Sequence, residues 1–203
     1  MEHADGIIPP QQTGRGTDFR AERQLNSRTE AHGAFQAAAA KLLTVNQWHN
    51  YAGAGSAKFV LTDNQGGPAS GTALEGFMIS IDLPGPGPDA GDGLDWVIIE
   101  RLESIDDASE EEEFVSMVVR PVPGPNERDG RIAHFYKEVS TSTFIARRVG
   151  NTVSAEVHGR NETPNNADVD LYDKIRNTAV ALSARIGLAS PQWQKLADGL
   201  IAE

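Results

Sequence analysis

The sequence predicts an α+β domain in which a strongly bent antiparallel sheet or partial barrel of five to six strands packs against an N-terminal helix and two C-terminal helices. Apolar residues recur at helical spacing near both ends of the chain, whereas the middle alternates with a period of two. No helical crossovers separate the central strands, which favours antiparallel pairing. The length of 203 residues suits one domain with an appendage.

Residues 1–28 are predicted to form an extended polar N-terminal arm, and residues 29–203 a single α+β domain. The arm has few large apolar side chains, too few to offset the entropy lost on ordering. We therefore expect it to dock on a protein partner or on a second copy of the chain. The candidate partner-binding residues are Ile7, Ile8, Arg15, Phe19, Arg20 and Arg23.

The first helix is predicted to begin at Thr29 as the N-cap, with Glu30 in its first turn. Phe35 and Leu42 belong to its apolar face, and the helix should end by Gly53.

Period-two segments follow, separated by turn residues. Gly150 and Asn151 predict a tight turn between the last two strands. The Pro/Gly-rich segment 84–93 is predicted to be a surface loop. The predicted strands are 58–62, 74–83, 95–105, 114–122, 134–139, 143–149 and 152–158.

The C-terminal part is predicted to be helical. Asp168 or Asp170 caps a helix that ends near Gly187. Pro191 is then suited to the first position of a short last helix, with Trp193 facing inward.

Composition argues against several classes of function. The net charge of -11 and the absence of a basic patch disfavour nucleic-acid binding. No apolar run approaches the ~18 to 20 residues that span a bilayer, so no membrane partner is expected. The chain has no cysteine and its start does not resemble a secretory signal, so we expect a cytoplasmic protein. No cofactor is predicted.

The polar residues of the last strand form the main candidate site. Glu156, His158, Arg160 and Glu162 share one face if the strand continues past Gly159 without a bulge. A histidine between carboxylates suits proton transfer or a divalent metal, and Arg160 suits an anionic ligand. The alternative interpretation is a solvated strand face with cross-strand ion pairs, which needs no ligand.

Two other groups are weaker candidates. Asp89, Asp92 and Asp95 could offer oxygen ligands to calcium, but their spacing does not match an EF-hand, and aspartates in such loops usually form turns. The three tryptophans could line a pocket, although large aromatic side chains are more often core anchors. These are Trp48, Trp96 and Trp193.

The favoured hypothesis is a non-enzymatic structural or interaction protein, such as a subunit or adaptor of a larger soluble assembly. It depends on the polar arm and on the lack of a recognisable catalytic motif in the sequence. The alternative is a small-ligand-binding protein or an enzyme that uses the polar strand face around His158.

Overall fold

The computed structural model describes residues 4–83, 93–127, 130–132, 134, 136–165 and 191–203. It contains one antiparallel sheet of seven strands in the order β1-β7-β6-β5-β4-β3-β2. The predicted α+β class and antiparallel pairing are confirmed, but the predicted number of five to six strands is wrong. The strands are β1 (Arg15–Gln24), β2 (Lys58–Thr62), β3 (Met78–Asp82), β4 (Asp95–Ile105), β5 (Glu112–Pro121), β6 (Thr141–Val149) and β7 (Thr152–Glu162).

Strand β1 is the element that the sequence did not predict. It lies in the segment interpreted as an extended arm, yet it pairs with β7 along its length, from Arg15 opposite Glu162 to Gln24 opposite Thr152. Its burial alternates between exposed and half-buried, because it is an edge strand of largely polar residues. Conversely, among the described residues of the predicted strand 134–139, Tyr136 forms an isolated bridge with Pro164 and none belongs to the sheet.

The first helix, α1 (Arg28–Leu43), begins two residues earlier than predicted. Ser27, and not Thr29, is the N-cap, and its hydroxyl accepts a hydrogen bond from the Glu30 backbone N–H at 3.2 Å. A 3-10 turn then leads into the short helix α2 (Trp48–Ala52), which ends at Gly53 with a positive φ of 78°. The predicted end of the helical region at Gly53 is confirmed.

The main core lies between α1 and the inner face of the sheet. Alternate residues of β5, β6 and β7 point toward the helix, and Phe35 and Leu42 are fully buried against them. The inward residues of β7 are apolar, as its alternation predicts. They are Val153, Ala155 and Val157.

A second, smaller core covers the outer face of the same sheet. A 3-10 turn, Ala4–Ile7, lies over β5 and β6, where Ile7 packs among Phe114, Val118 and Ile145. The Arg101 guanidinium donates to the Ile7 carbonyl at 2.6 Å. Residues 4–7 therefore pack on the sheet of their own chain.

The last helix, α3, covers residues 191–201. Leu196, Ala197 and Leu200 are buried in the main core. Gly199 lies so close to the backbone of Tyr51 that a Cβ at this position would overlap it. The helix predicted between Asp168 and Gly187 lies outside the described residues.

Among the described residues, no helix combines the length and apolar character needed to cross a membrane.

Candidate functional site

Strand β7 contains a β-bulge that divides the four residues of the predicted polar stripe. Thr17 pairs with Gly159 and Arg15 with Glu162, so two residues of β1 span the same distance as three of β7. Asn161 adopts the left-handed conformation, with φ of 55°. The sequence placed the possible bulge at Gly159, but it occurs just after that residue. The bulge separates Glu162 from the face that holds the other three residues.

Side chains and backbone of the N-terminal segment hold the bulge in place. The Asn161 side-chain oxygen accepts hydrogen bonds from the backbone N–H groups of Gln12 and Thr13, at 2.7 and 3.0 Å. Its amide donates to the Pro10 carbonyl at 3.2 Å, and its own backbone N–H donates to Gln11 Oε1 at 2.9 Å. These bonds are formed with residues that the sequence analysis assigned to an extended arm docked on a partner.

Gly159 provides the room for the Glu162 side chain. A Cβ at position 159 would overlap Glu162 Oε1 and Thr17 Oγ1. Because residue 159 has no side chain, the Glu162 carboxylate lies along the inner face, where Oε1 accepts a hydrogen bond from Thr17 Oγ1 at 2.8 Å. Glycine at 159 thus determines where this carboxylate lies.

Glu162 lines a cavity between the inner face of the sheet and helices α2 and α3. Its walls come from strands β2 to β7, from the starts of both helices and from the segment around Tyr136. The whole empty space, including the open mouth, has a volume of about 430 Å³. The inner part of the cavity, which is the space open to the centres of water molecules, has a volume of about 30 Å³. That inner space holds about two waters, since one water needs at least ~10–15 Å³ on this measure.

Four aromatic rings form the apolar wall of the cavity. The Trp48 ring centroid lies 4.7 Å from that of Phe144 and 5.3 Å from that of Phe59. Trp193 lies 5.5 Å from Phe144 and 6.0 Å from Phe59, again between ring centroids. Two of the three tryptophans that the sequence singled out therefore line the cavity. Trp96 instead packs against Met78 in a separate cluster.

The polar wall consists of Glu162, Tyr136, His134 and Ser142. Glu162 is 8% exposed, and its Oε2 atom is buried and accepts no well-aligned hydrogen bond among the described residues. Burial raises the pKa of Glu162, although bonds from Thr17 and Tyr136 and the charge of Arg15 oppose that shift. Burial and the adjacent Glu162 charge raise the pKa of Tyr136. The Tyr136 backbone N–H donates to His134 Nδ1 at 2.9 Å, which leaves the proton of a neutral ring on Nε2.

The other three residues of the predicted stripe lie on the outer face. His158 Nδ1 is 2.6 Å from Asp18 Oδ1 and its Nε2 is 3.0 Å from Glu156 Oε2. Arg160 donates to the same Asp18 oxygen at 2.7 Å. This face is not simply solvated, because Glu156 is only 3% exposed.

His158, Glu156 and Asp18 have shifted pKa values. Burial disfavours the charged imidazole of His158, but its bonds to Glu156 and Asp18 outweigh burial and raise the pKa. Burial raises the pKa of Glu156, yet the bonds from His158 and Ser154 prevail and lower it. Burial raises the pKa of Asp18, but the hydrogen bonds and charges of His158 and Arg160 together outweigh it and lower the pKa. The cluster thus joins β1 to β7 as a network of charged hydrogen bonds.

The predicted partner-binding residues all interact with their own chain. Ile7 is 1% exposed, Ile8 packs beside it, and Phe19 packs on the main core. Arg20 lies 3.5 Å from Glu156, measured between its Nη1 and the carboxylate Oε1. Arg23 binds Glu203 at 2.9 Å, and the charge of Arg15 acts on Glu162. Order in this segment therefore needs no partner, and the proposed protein partner remains a prediction.

The metal candidates of the sequence do not form a described site. Asp89 and Asp92 lie outside the described residues, and Asp95 is buried at the start of β4. A different trio brings ligand atoms within 4.8 Å of one another. It consists of His32, Asp106 and Glu113.

Glu113 in this trio already has a cationic partner. It is fully buried and ion-paired with the fully buried Arg148, while His32 Nδ1 lies 2.9 Å from its Oε1. Arg148 also donates to the carbonyls of Glu110 and Gly150, at 2.7 and 2.9 Å. The arrangement is that of a buried ion pair that fixes two turns beside α1.

Comparison with known proteins gives no family assignment. No protein-family model matches the chain, and no curated protein sequence matches it. Solved structures that are similar include the ginseng major latex-like protein 151 from Panax ginseng, with a TM-score of 0.34 and 11% identity over 85% of this chain and 96% of that one. A norcoclaurine synthase from Thalictrum has a TM-score of 0.34 and 10% identity over 89% of this chain and 99% of that one. A protein from Staphylococcus epidermidis has a TM-score of 0.36 and 12% identity over 97% of each chain. At these TM-scores, the site must be judged from its own geometry.

Sequence reasoning missed Tyr136, His134, Phe59 and Phe144 as cavity residues. They are distant in sequence, and their convergence depends on strand order and on the path of a loop. The one local signal of the bulge in the sequence was Gly159 with Asn161 two positions later, since asparagine can adopt the left-handed conformation.

Proposed function

We propose that this protein binds a small, largely apolar molecule in the cavity between the inner face of the sheet and helices α2 and α3. The observation that carries the proposal is the combination of an aromatic wall with a buried carboxylate, one oxygen of which accepts no well-aligned hydrogen bond among the described residues. Ligand sites typically have mainly apolar linings with a few polar groups that fix orientation. A molecule that fills this space would bury its apolar surface against the four rings.

The dimensions of the cavity limit the size of the ligand. Its inner space corresponds to about two waters, whereas cavities for drug-sized ligands are typically ~300–1,000 Å³. The volume of about 430 Å³ that includes the mouth leaves room for a longer molecule only if part of it remains near the opening. We therefore propose a ligand with one ring or two fused rings, or a short chain of similar width, of which only the leading end enters the inner space while the rest lies in the mouth.

This proposal corresponds to the small-ligand alternative of the sequence analysis, but at a different place. The sequence located the ligand around His158, whose side chain is engaged by two carboxylates on the outer face. Glu162 is the one member of the predicted stripe that lines the cavity. The outer-face cluster has its charges paired with one another, which suits a role in joining β1 to β7.

A cavity-filling substitution tests the proposal. Ser142 lines the cavity, so Ser142→Leu should occupy the space needed by a ligand. Ser104→Leu introduces the same side chain at an exposed position of β4 and serves as the matched control. Benzofuran and indole are suitable probes because each has two fused rings.

Binding is measured by titration of backbone amide signals in two-dimensional NMR spectra and by the shift of the melting temperature. We expect saturable changes at β6 and at Trp193 in the wild type and in Ser104→Leu, and weakened binding in Ser142→Leu. A free ligand concentration of 100 times Kd should stabilise the fold by ~2.7 kcal/mol. The proposal fails if neither probe gives saturable changes, or if Ser142→Leu binds both probes as the wild type does.

A further inference from the structure

We infer that Glu162 makes the cavity selective for ligands that carry a hydrogen-bond donor, an O–H or N–H group, at the end that enters first. This inference rests on the proposed function, since it specifies the ligand class of the same cavity. It assigns Glu162 a role in specificity that is separate from the apolar contacts.

The two oxygens of the carboxylate have different environments. Oε1 accepts the Thr17 hydroxyl at 2.8 Å, whereas Oε2 is buried and accepts no well-aligned hydrogen bond among the described residues, although the nearby Tyr136 hydroxyl also acts on the carboxylate. A buried polar atom that lacks a partner costs free energy, and an ionised carboxylate can only accept hydrogen bonds. A ligand that offers a donor to Oε2 would remove this cost, whereas a ligand that presents only acceptors would add a repulsive contact.

Two features of the backbone determine the position of this oxygen. The bulge at Asn161 brings Glu162 to the inner face, and Gly159 leaves the space that its carboxylate occupies. Without the bulge, strand alternation would place residue 162 on the outer face with His158 and Arg160. Burial raises the pKa of Glu162, and the charges of Arg15 and Arg160 oppose that rise, so the test is made at pH 8, where alkaline conditions favour the ionised, accepting form.

The aromatic wall determines the rest of the ligand class. Trp48 and Phe144 lie with ring centroids 4.7 Å apart and their planes tilted by 49°. Trp48 Nε1 already donates to the Leu42 carbonyl at 2.9 Å, so this tryptophan offers its apolar ring and not its N–H to the cavity. A flat ring that ends in a hydrogen-bond donor therefore suits the chemistry of both the aromatic wall and the polar wall.

Indole and benzofuran form a matched pair for this test. They have nearly the same shape, but indole has a ring N–H where benzofuran has an ether oxygen. We expect indole to bind the wild type about tenfold more tightly than benzofuran at pH 8, as a hydrogen bond to a charged acceptor would give. Replacing the carboxylate by an apolar side chain of similar length, Glu162→Met, should reduce this preference to less than about twofold.

The control variant is Glu22→Met, which removes an exposed carboxylate from β1 and should keep the tenfold preference. If Glu162→Met fails to fold, Glu162→Gln replaces it, because glutamine has nearly the same shape as glutamate. This variant should give an intermediate preference for indole, because a neutral amide oxygen accepts a hydrogen bond more weakly than a carboxylate does. Circular dichroism and amide spectra establish that each variant is folded.

The possible results separate the two proposals. If both probes bind the wild type equally, or if Glu162→Met and Glu162→Gln keep the preference for indole, the selectivity inference is overturned while the cavity proposal stands. If neither probe binds, the proposed function fails and the inference fails with it. A preference for indole that disappears with the Glu162 carboxylate supports both.

Discussion

Replacing Asn161 by alanine should destabilise the fold, because this residue holds the bulge that brings Glu162 into the cavity. Its side chain makes three hydrogen bonds to the backbone of residues 10–13, at 2.7, 3.0 and 3.2 Å. Each contributes about 0.5–1.5 kcal/mol net. Alanine in the left-handed conformation costs about 1–2 kcal/mol more. Because Asn161 is only 7% exposed, we expect Asn161→Ala to lower the free energy of unfolding by roughly 3–6 kcal/mol.

Matched variants separate the two contributions. Asn161→Gly loses the same hydrogen bonds but tolerates the positive φ, so it should be at least as stable as Asn161→Ala. In an ordinary strand position the order would be reversed, because glycine loses more entropy on folding. Asn161→Asp keeps an acceptor for Gln12 and Thr13, so it should be the least damaging of the three.

Urea denaturation followed by tryptophan fluorescence measures these differences, and indole titration reports on the cavity. The reasoning would be refuted by a cost below about 0.5 kcal/mol for Asn161→Ala, or by a glycine variant clearly less stable than the alanine variant. A destabilised variant that retains the full preference for indole would show that the bulge is not what positions Glu162.

Two further predictions concern the outer face. The pKa of His158 is raised in the folded protein, so its stabilising effect is fully present below its ordinary value of 6.5 and is lost as pH rises through the higher folded value. The difference in the free energy of unfolding between the wild type and His158→Gln should therefore become smaller from pH 6 to pH 9, as measured by urea denaturation. A difference that grows with pH would contradict the hydrogen-bond network around His158. Ile7→Ala should lower stability by about 2–4 kcal/mol, because it empties the small core over β5 and β6, whereas Ile8→Ala should cost less than about 1 kcal/mol. Equal costs in thermal or urea unfolding would show that Ile7 is not anchored as described.

The strands of the middle region could be predicted because their burial follows directly from sequence alternation. The predicted bounds of β4 agree with the structure, and the turn at Gly150 and Asn151 joins β6 to β7 as expected. Strand β1 could not be recognised in the same way. An edge strand contacts a neighbouring strand on one side only, so the polar residues of Arg15–Gln24 are compatible with such a strand. The segment becomes ordered by pairing with β7, more than a hundred residues away in the sequence.

The candidate site was predictable only in part. Glu162 was identified as a polar residue of the last strand, but a strict period of two placed it beside His158, because one added residue in a strand reverses the face of all residues beyond it. The aromatic wall could not be assembled from sequence, since its rings come from β2, β6, α2 and α3.

The sequence by itself determined the α+β class, the antiparallel strands and the apolar face of β7, because these depend on side-chain periodicity within short segments. The tertiary structure decided that the N-terminal segment belongs to the sheet and that Glu162 faces the cavity. Both outcomes depend on hydrogen bonds between distant parts of the chain, from residues 10–13 to Asn161 and from β1 to β7, and such bonds leave no periodic trace in the sequence.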